Sequence, residues 1–223
     1  MLRKGKLVVF LGPVGVGKST MIKCLAQMLS AKGFRVVKTS IKSYHGLSYI
    51  IWLFVDKLLK APKGYAPWYN IPKILGLKKI SRVLATISAY HDALLFIPIK
   101  CSFISLLNNL GFYVLSEEYT VISFLDYLFS WKDLKPRITF PLKILYILNV
   151  RLKPDIVFFL DAKLNVLEQR WLIRGYGDSQ KRYVSFQRRT ILPLCKEFKY
   201  NYITIDTSHK SIKDLYKIIK DNL

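Results

Sequence analysis

Residues 12 to 19 read GPVGVGKS, which matches the pattern G-x-x-x-x-G-K-S/T, between the apolar run KLVVFL and the segment KSTMIKCLAQMLSAKG. Glycines at that spacing let backbone N–H groups turn inward around phosphate oxygens, and the first turn of a following helix adds its positive dipole end. The cradle would consist of Gly12, Pro13, Val14, Gly15, Val16, Gly17, Lys18, Ser19 and Thr20. Lys18 would reach the β and γ phosphates as a point charge, the Ser19 hydroxyl would be a ligand to magnesium, and Thr20 would support the turn. The chemistry implied is binding of ATP or GTP, and the cofactors expected are ATP and Mg2+.

A second candidate lies in YVLSEEYTVIS, residues 113 to 123, where Glu117 and Glu118 stand side by side in a chain with 14 acidic and 36 basic residues. Successive strand residues face opposite sides, so only one of the two is expected to look into the site from within the strand. Glu117, at the strand's carboxyl end, suits the water shell of a magnesium ion. Glu118, at the first loop position, suits either a proton acceptor for an acceptor hydroxyl or a surface carboxylate paired with a lysine. Asp161 competes for the magnesium role, with capping of the next helix as its alternative. Lys42 and His45, in TSIKSYHG, are available to an anionic or hydroxyl group on the acceptor. His91 and His209 read as packing or surface residues.

These residues need a frame, and the hydrophobic pattern supplies one. KLVVFL, FRVVKTS, FYVLS, PDIVFFLD and YNYITID read as strands. The segments between them carry apolar residues at helical spacing, such as Met21, Cys24, Leu25, Met28 and Leu29 before a stop at Gly33. Helices are expected at 47–60, in two pieces over 73–110 broken near Pro98, around 120–131, at 138–150, at 162–175 with Leu164, Leu167, Trp171 and Leu172 on one side, and in the basic stretch after about 180. An irregular loop is expected at about 61–72, where Pro and Gly cluster. Strands alternating with helices imply a parallel sheet covered on both faces.

The 223 residues suit a single domain, and 52% hydrophobic residues with 22% charged ones exclude a disordered chain. Three scattered cysteines argue against a disulfide framework and a zinc site, and favour a cytoplasmic, reducing setting. No run reaches about 18 consecutive apolar residues, so no membrane span is expected. The formal net charge of +22 favours polyanionic company: nucleotide phosphates, nucleic acid or an anionic membrane surface. The aromatic, lysine-studded stretch from Ser43 to Lys79 would suit a greasy acceptor or peripheral contact with a membrane, or else core helices.

PDIVFFLDAKLNVLEQRWLIRG resembles the fourth strand and following helix of thymidylate kinases, and the phosphate loop and the closing YNYITID segment fall in the order that family uses. The resemblance implies an α/β, three-layer P-loop NTPase fold with a parallel five-stranded sheet flanked by helices and a basic lid at about 170–189. Arg170 and Arg174 would act there on the transferring phosphoryl group, with Lys181, Arg182, Arg188 and Arg189 nearby. VLSEEY takes the place of the family's Asp-Arg-Tyr-type motif, with Glu117 at the Asp position, Tyr119 as the aromatic facing the acceptor, and Glu118 where the family holds the acceptor's phosphate with arginine. The Glu-Pro-Gly segment of the family is replaced by TSIKSYHG. The implied activity is transfer of the γ-phosphoryl group of Mg-ATP to a nucleoside monophosphate such as dTMP. Alternatives are a kinase for an unphosphorylated nucleoside or lipid-like alcohol, and a nucleic-acid-binding P-loop ATPase or polynucleotide kinase. A homodimer is a further expectation of the resemblance.

Overall fold

The computed structural model describes residues 4–60, 67–69, 71–72, 75–173 and 181–223. Five strands, β1 (Leu7–Leu11), β2 (Val36–Ser40), β3 (Tyr113–Glu117), β4 (Ile156–Asp161) and β5 (Tyr202–Asp206), form one sheet in the order β2-β3-β1-β4-β5. Every neighbouring pair is parallel. The strand that leads into the phosphate loop is therefore central, with the carboxyl ends of β3 and β4 on either side of it.

Burial on both faces explains why β1 and β4 read as unbroken apolar runs. Leu7, Val9, Leu11, Val157 and Phe159 enter one core, while Val8, Phe10, Ile156, Phe158 and Leu160 enter the other. The Phe10 and Phe158 rings stack with centroids 5.4 Å apart across the strand pair. Full burial of such side chains contributes about 1.5–3 kcal/mol each.

Helix α1 (Lys18–Ala31) lies on the second face with α8 (Leu164–Ile173) and α10 (Ile212–Asp221). The first face carries α2 (Leu47–Leu58), α4 (Lys78–His91), α5 (Ile97–Asn109), α6 (Thr120–Leu134), α7 (Thr139–Arg151) and most of α9 (Lys181–Glu197). A short helical turn, α3, spans Pro67–Tyr69; the rest of the 61–72 loop lies largely outside the described residues.

Two expectations about helices change. Pro98 does not break the chain: α4 and α5 run on as one helix, Lys78–Asn109, through a π turn at Asp92–Phe96. The wider turn just before the proline accommodates its missing N–H and its ring, which would clash with the carbonyl four residues back in a regular α-helix. By length and composition this 32-residue helix is sufficient to cross a membrane, and 28% of its most apolar window is buried. On α8, Leu167 and Trp171 are buried as expected, whereas Leu164 and Leu172 face out.

Candidate active site

The phosphate loop depends on glycines where the backbone leaves the range open to other residues. Gly12 sits at φ +142, and a Cβ there would lie 2.1 Å from the Leu160 carbonyl oxygen. Gly15, at φ +87, would carry a Cβ 2.8 Å from the Trp171 indole nitrogen. Trp171 donates that N–H to the Val14 carbonyl at 2.7 Å, so α8 braces the loop from outside. Arg170, the preceding residue, binds the Thr207 hydroxyl at 3.3 Å and its carbonyl at 3.0 Å, and Thr207 donates to the Val16 carbonyl at 3.3 Å. Spacing suggested a packing tryptophan and the family resemblance a lid arginine; Trp171 supports the loop directly and Arg170 supports it through Thr207.

Lys18 is 5% exposed and donates to the carbonyls of Gly12 at 2.9 Å and Pro13 at 3.3 Å. Ser19, exposed at the start of α1, donates its hydroxyl to Glu117 Oε2 at 2.8 Å. Gly15, Gly17, Lys18, Ser19, Thr20 and Glu117 line one cleft. The start of α1 and the Lys18 ammonium suit a phosphate chain, and the Ser19 hydroxyl beside the Glu117 carboxylate suits a magnesium ion and its waters.

Both neighbouring glutamates reach this loop, Glu117 from the strand end and Glu118 from the first loop position, as expected. Glu118 Oε1 lies 3.6 Å from Lys18 Nζ and Oε2 lies 3.9 Å from Lys42 Nζ, with the side chain 13% exposed. The strand ends at Glu117, and Glu118 adopts the left-handed backbone, φ +68, which turns its side chain back toward the loop. A non-glycine residue in that region is uncommon and is held by its surroundings. Here the Glu118 N–H bonds the Phe10 carbonyl at 3.1 Å, and the Ser116 hydroxyl bonds the Glu118 carbonyl at 2.6 Å.

Asp161, across the central strand, neither stands free nor caps α8: Arg188 on α9 grips both of its oxygens at 2.9–3.2 Å. Arg182 binds Asp133 at 2.7 Å, Lys181 pairs with Glu168 at 3.3 Å, and Arg189 donates to the Ser185 carbonyl of its own helix at 3.1 Å. Arg174 and much of the expected lid lie outside the described residues.

On the acceptor side, Lys42 faces Glu118, as above. His45 turns its Nδ1 to the Ser43 carbonyl at 2.7 Å, which ties the ring to its own loop. Tyr119 is 2% exposed and packs in the core beside Cys101, so its placement does not present it to an acceptor. An apolar aromatic body after a polar strand end has the core as its cheaper environment.

Spacing did not single out two aspartates. Asp92, fully buried in the π turn, accepts from Tyr127 at 2.6 Å and from the Tyr44 N–H at 2.8 Å, with His91 Nδ1 at 3.0 Å; burial raises its pKa. It pins the loop that carries Lys42, Ser43 and His45 to the long helix. Asp126 accepts from Ser43 Oγ at 2.7 Å and from the Tyr183 hydroxyl. Loss of surrounding water pushes its carboxyl up to about 7, against the pull of the Tyr183 and Ser43 hydrogen bonds; Glu118 adds to the rise and Lys42 opposes it.

Between about pH 4 and 7 the folded chain therefore holds a proton on Asp126 that the unfolded chain, with an ordinary carboxyl at 3.8, has released. Its contribution to stability is full below that window and is lost as pH rises to about 7. The melting temperature of Asp126→Asn is expected to fall less than that of the natural chain between pH 5 and 8. Equal pH dependence of the two would contradict this assignment.

No family model matches the sequence, and no curated protein matches it. Among solved structures, the thymidylate kinase of Candida albicans is similar, with a TM-score of 0.62 and 16% sequence identity over 98% of this chain and 92% of that chain. A likeness at that identity speaks to architecture. The parallel five-stranded sheet, its flanking helices and the phosphate loop at the carboxyl end of its central strand give this chain a thymidylate kinase-like fold.

Proposed function

We propose that this protein is a kinase that transfers the γ-phosphoryl group of Mg-ATP to a small acceptor. The observation that carries this reading is the junction of β1, α1 and β3, where Lys18 and Ser19 of the phosphate loop meet Glu117 within one cleft. When bound, magnesium would neutralise charge on the β and γ phosphates, held by Ser19 and, through water, by Glu117. Lys18 would exchange its carbonyl partners and Glu118 for phosphate oxygens. Arg170 and Arg174 remain the residues proposed to act from the lid side. Two acceptor classes go with the reading. The likeness to a thymidylate kinase favours a nucleoside monophosphate such as dTMP, and the carboxylate of Glu118 favours an unphosphorylated nucleoside or other alcohol.

Titration calorimetry with Mg-ATP, followed by ATP consumption across dTMP, other monophosphates, nucleosides and isoprenoid alcohols, tests the proposal. Acceptor-stimulated turnover by at least one of them is expected. Binding of Mg-ATP with no stimulation by any of them would leave a nucleotide-binding role. A nucleic-acid ATPase would instead bind an oligonucleotide at about 50 mM salt and be stimulated by it.

The same reading includes a homodimer. Val83, Ile87, Leu94, Ile99, Phe103 and Leu106 are exposed at helical spacing along α4–α5, and Phe54 on α2 and Ile147 on α7 are exposed as well. A standard interface takes about 20–30 residues from each side with an apolar centre, which this face can supply. Light scattering after gel filtration is expected to give twice 25.9 kDa. Leu94→Ser with Phe103→Ser should give the monomer mass with the fold retained. A monomeric natural chain that sediments with lipid vesicles would assign the face to a membrane instead.

A further inference from the structure

Beyond Lys18 a group of side chains brings hydrogen-bond acceptors together. Glu118 lies between Lys18 at 3.6 Å and Lys42 at 3.9 Å. Asp126, from α6, is held by Ser43 and Tyr183 and is in electrostatic contact with both Glu118 and Lys42. Tyr183, on α9, interacts in turn with Glu118 and with Gln187 one turn along the same helix. Gln187 is 1% exposed, yet its side-chain oxygen Oε1 has no hydrogen-bond partner among the described residues. Buried polar atoms are nearly always paired, so an orphaned amide oxygen beside this cluster is an acceptor without its donor.

These groups discriminate between acceptor classes. A phosphate monoester is a dianion that accepts hydrogen bonds and donates few. Placed here it would face the Glu118 carboxylate, the buried carboxyl of Asp126 and an amide oxygen, with Lys42, already shared with Glu118, as a near counter-charge among the described residues besides the lysine of the phosphate loop. A neutral molecule rich in O–H and N–H groups presents the donor that Gln187 Oε1 lacks and a hydroxyl to Glu118, and a site built around such donors discriminates strongly against a ligand without them. We propose that Glu118, Asp126 and Gln187 form the acceptor subsite, that it takes an unphosphorylated polyhydroxyl compound of the nucleoside or sugar-alcohol class, and that Glu118 accepts the proton of the hydroxyl that is phosphorylated.

The step balances with Mg-ATP as the donor, and it rests on the kinase reading above. The acceptor O–H bond breaks and its proton passes to Glu118. The acceptor oxygen bonds the γ-phosphorus as the bond from that phosphorus to the β–γ bridging oxygen breaks. ADP and the phosphorylated acceptor leave, and Glu118 returns its proton to water. Lys42, 3.9 Å away, holds the Glu118 carboxylate in place for this role.

The test compares matched pairs, thymidine with dTMP and adenosine with AMP, plus ribitol, under Mg-ATP. The natural chain is expected to show kcat/KM at least about 10-fold higher for the unphosphorylated member of a pair. Glu118→Gln should lower kcat about 100-fold or more, the scale of general-base catalysis, while Mg-ATP binds no more weakly than to the natural chain, because its phosphates no longer compete with Glu118 for Lys18. Gln187→Leu should raise the acceptor KM and leave the Kd for Mg-ATP unchanged. Glu118→Arg should move the preference toward the monophosphate. Preference of the natural chain for dTMP or AMP, or full kcat in Glu118→Gln, would overturn the subsite while the kinase reading stood. Turnover of neither member of any pair, nor of ribitol, would overturn both.

Discussion

Replacing Lys18 by alanine is expected to lower phosphoryl transfer roughly 100- to 1,000-fold, the cost of removing one preorganised charge from a developing transition state. Lys18 is nearly sealed, and its ammonium is held by two loop carbonyls and Glu118. These partners keep the ammonium at the loop before any phosphate arrives, and phosphate oxygens would replace them on binding. The substitution also leaves Glu118 with Lys42 as its ionic partner. Steady-state kinetics with saturating acceptor would check it: a fall in kcat with the melting temperature held within a few degrees supports the assignment, and an unchanged kcat would remove Lys18 from the site.

Gly12→Ala is expected to be the most damaging single change in the loop. Its added methyl would fall 2.1 Å from a backbone oxygen of β4, a strand buried on both faces that has little freedom to move. The left-handed φ adds strain of its own. A loss of about 3 kcal/mol or more is expected, or roughly 6–12 °C in melting temperature for a chain of this size. Gly17→Ala is the control: its φ is +103, but an added methyl meets nothing within 4 Å. It should lose the strain contribution alone. Equal melting temperatures for the two variants would show that the loop yields at Gly12.

Much of the fold was legible because its causes are local. Parallel strands buried on both faces must be apolar runs, and Leu7–Leu11 and Ile156–Asp161 are such runs. The phosphate loop was legible because its glycines answer to backbone sterics within a few residues. Pro98 misled because the turn that rescues the helix is defined by hydrogen-bond geometry, which residue spacing does not encode. Glu118 was expected at the first loop position and stands there, but the left-handed backbone, φ +68, that aims it at the phosphate loop was not evident from spacing. Tyr119 matched a motif position but entered the core. Asp126, Ser43, Tyr183 and Gln187 come from three separate parts of the chain, and topology brings them together. Trp171 illustrates the limit most simply: its place on a helix face was evident, and its bond to the Val14 carbonyl was not.

In the proposed reaction a single lysine would serve two roles in turn. Lys18 lies 3.6 Å from Glu118, and phosphates that took Lys18 would leave Glu118 to the acceptor with Lys42 beside it. Donor binding and activation of the acceptor hydroxyl would then be coupled through that exchange.

The central claim is phosphoryl transfer from Mg-ATP to a small acceptor at this loop. Phosphorus NMR of the protein with Mg-ATP and a mixed pool of nucleosides, nucleoside monophosphates and alcohols tests it most directly, because donor and product are seen in one spectrum. The account predicts ADP and one new phosphorylated acceptor in equal amounts, both absent with Lys18→Ala. ADP with inorganic phosphate and no phosphorylated acceptor, or product formation undiminished in Lys18→Ala, would contradict it.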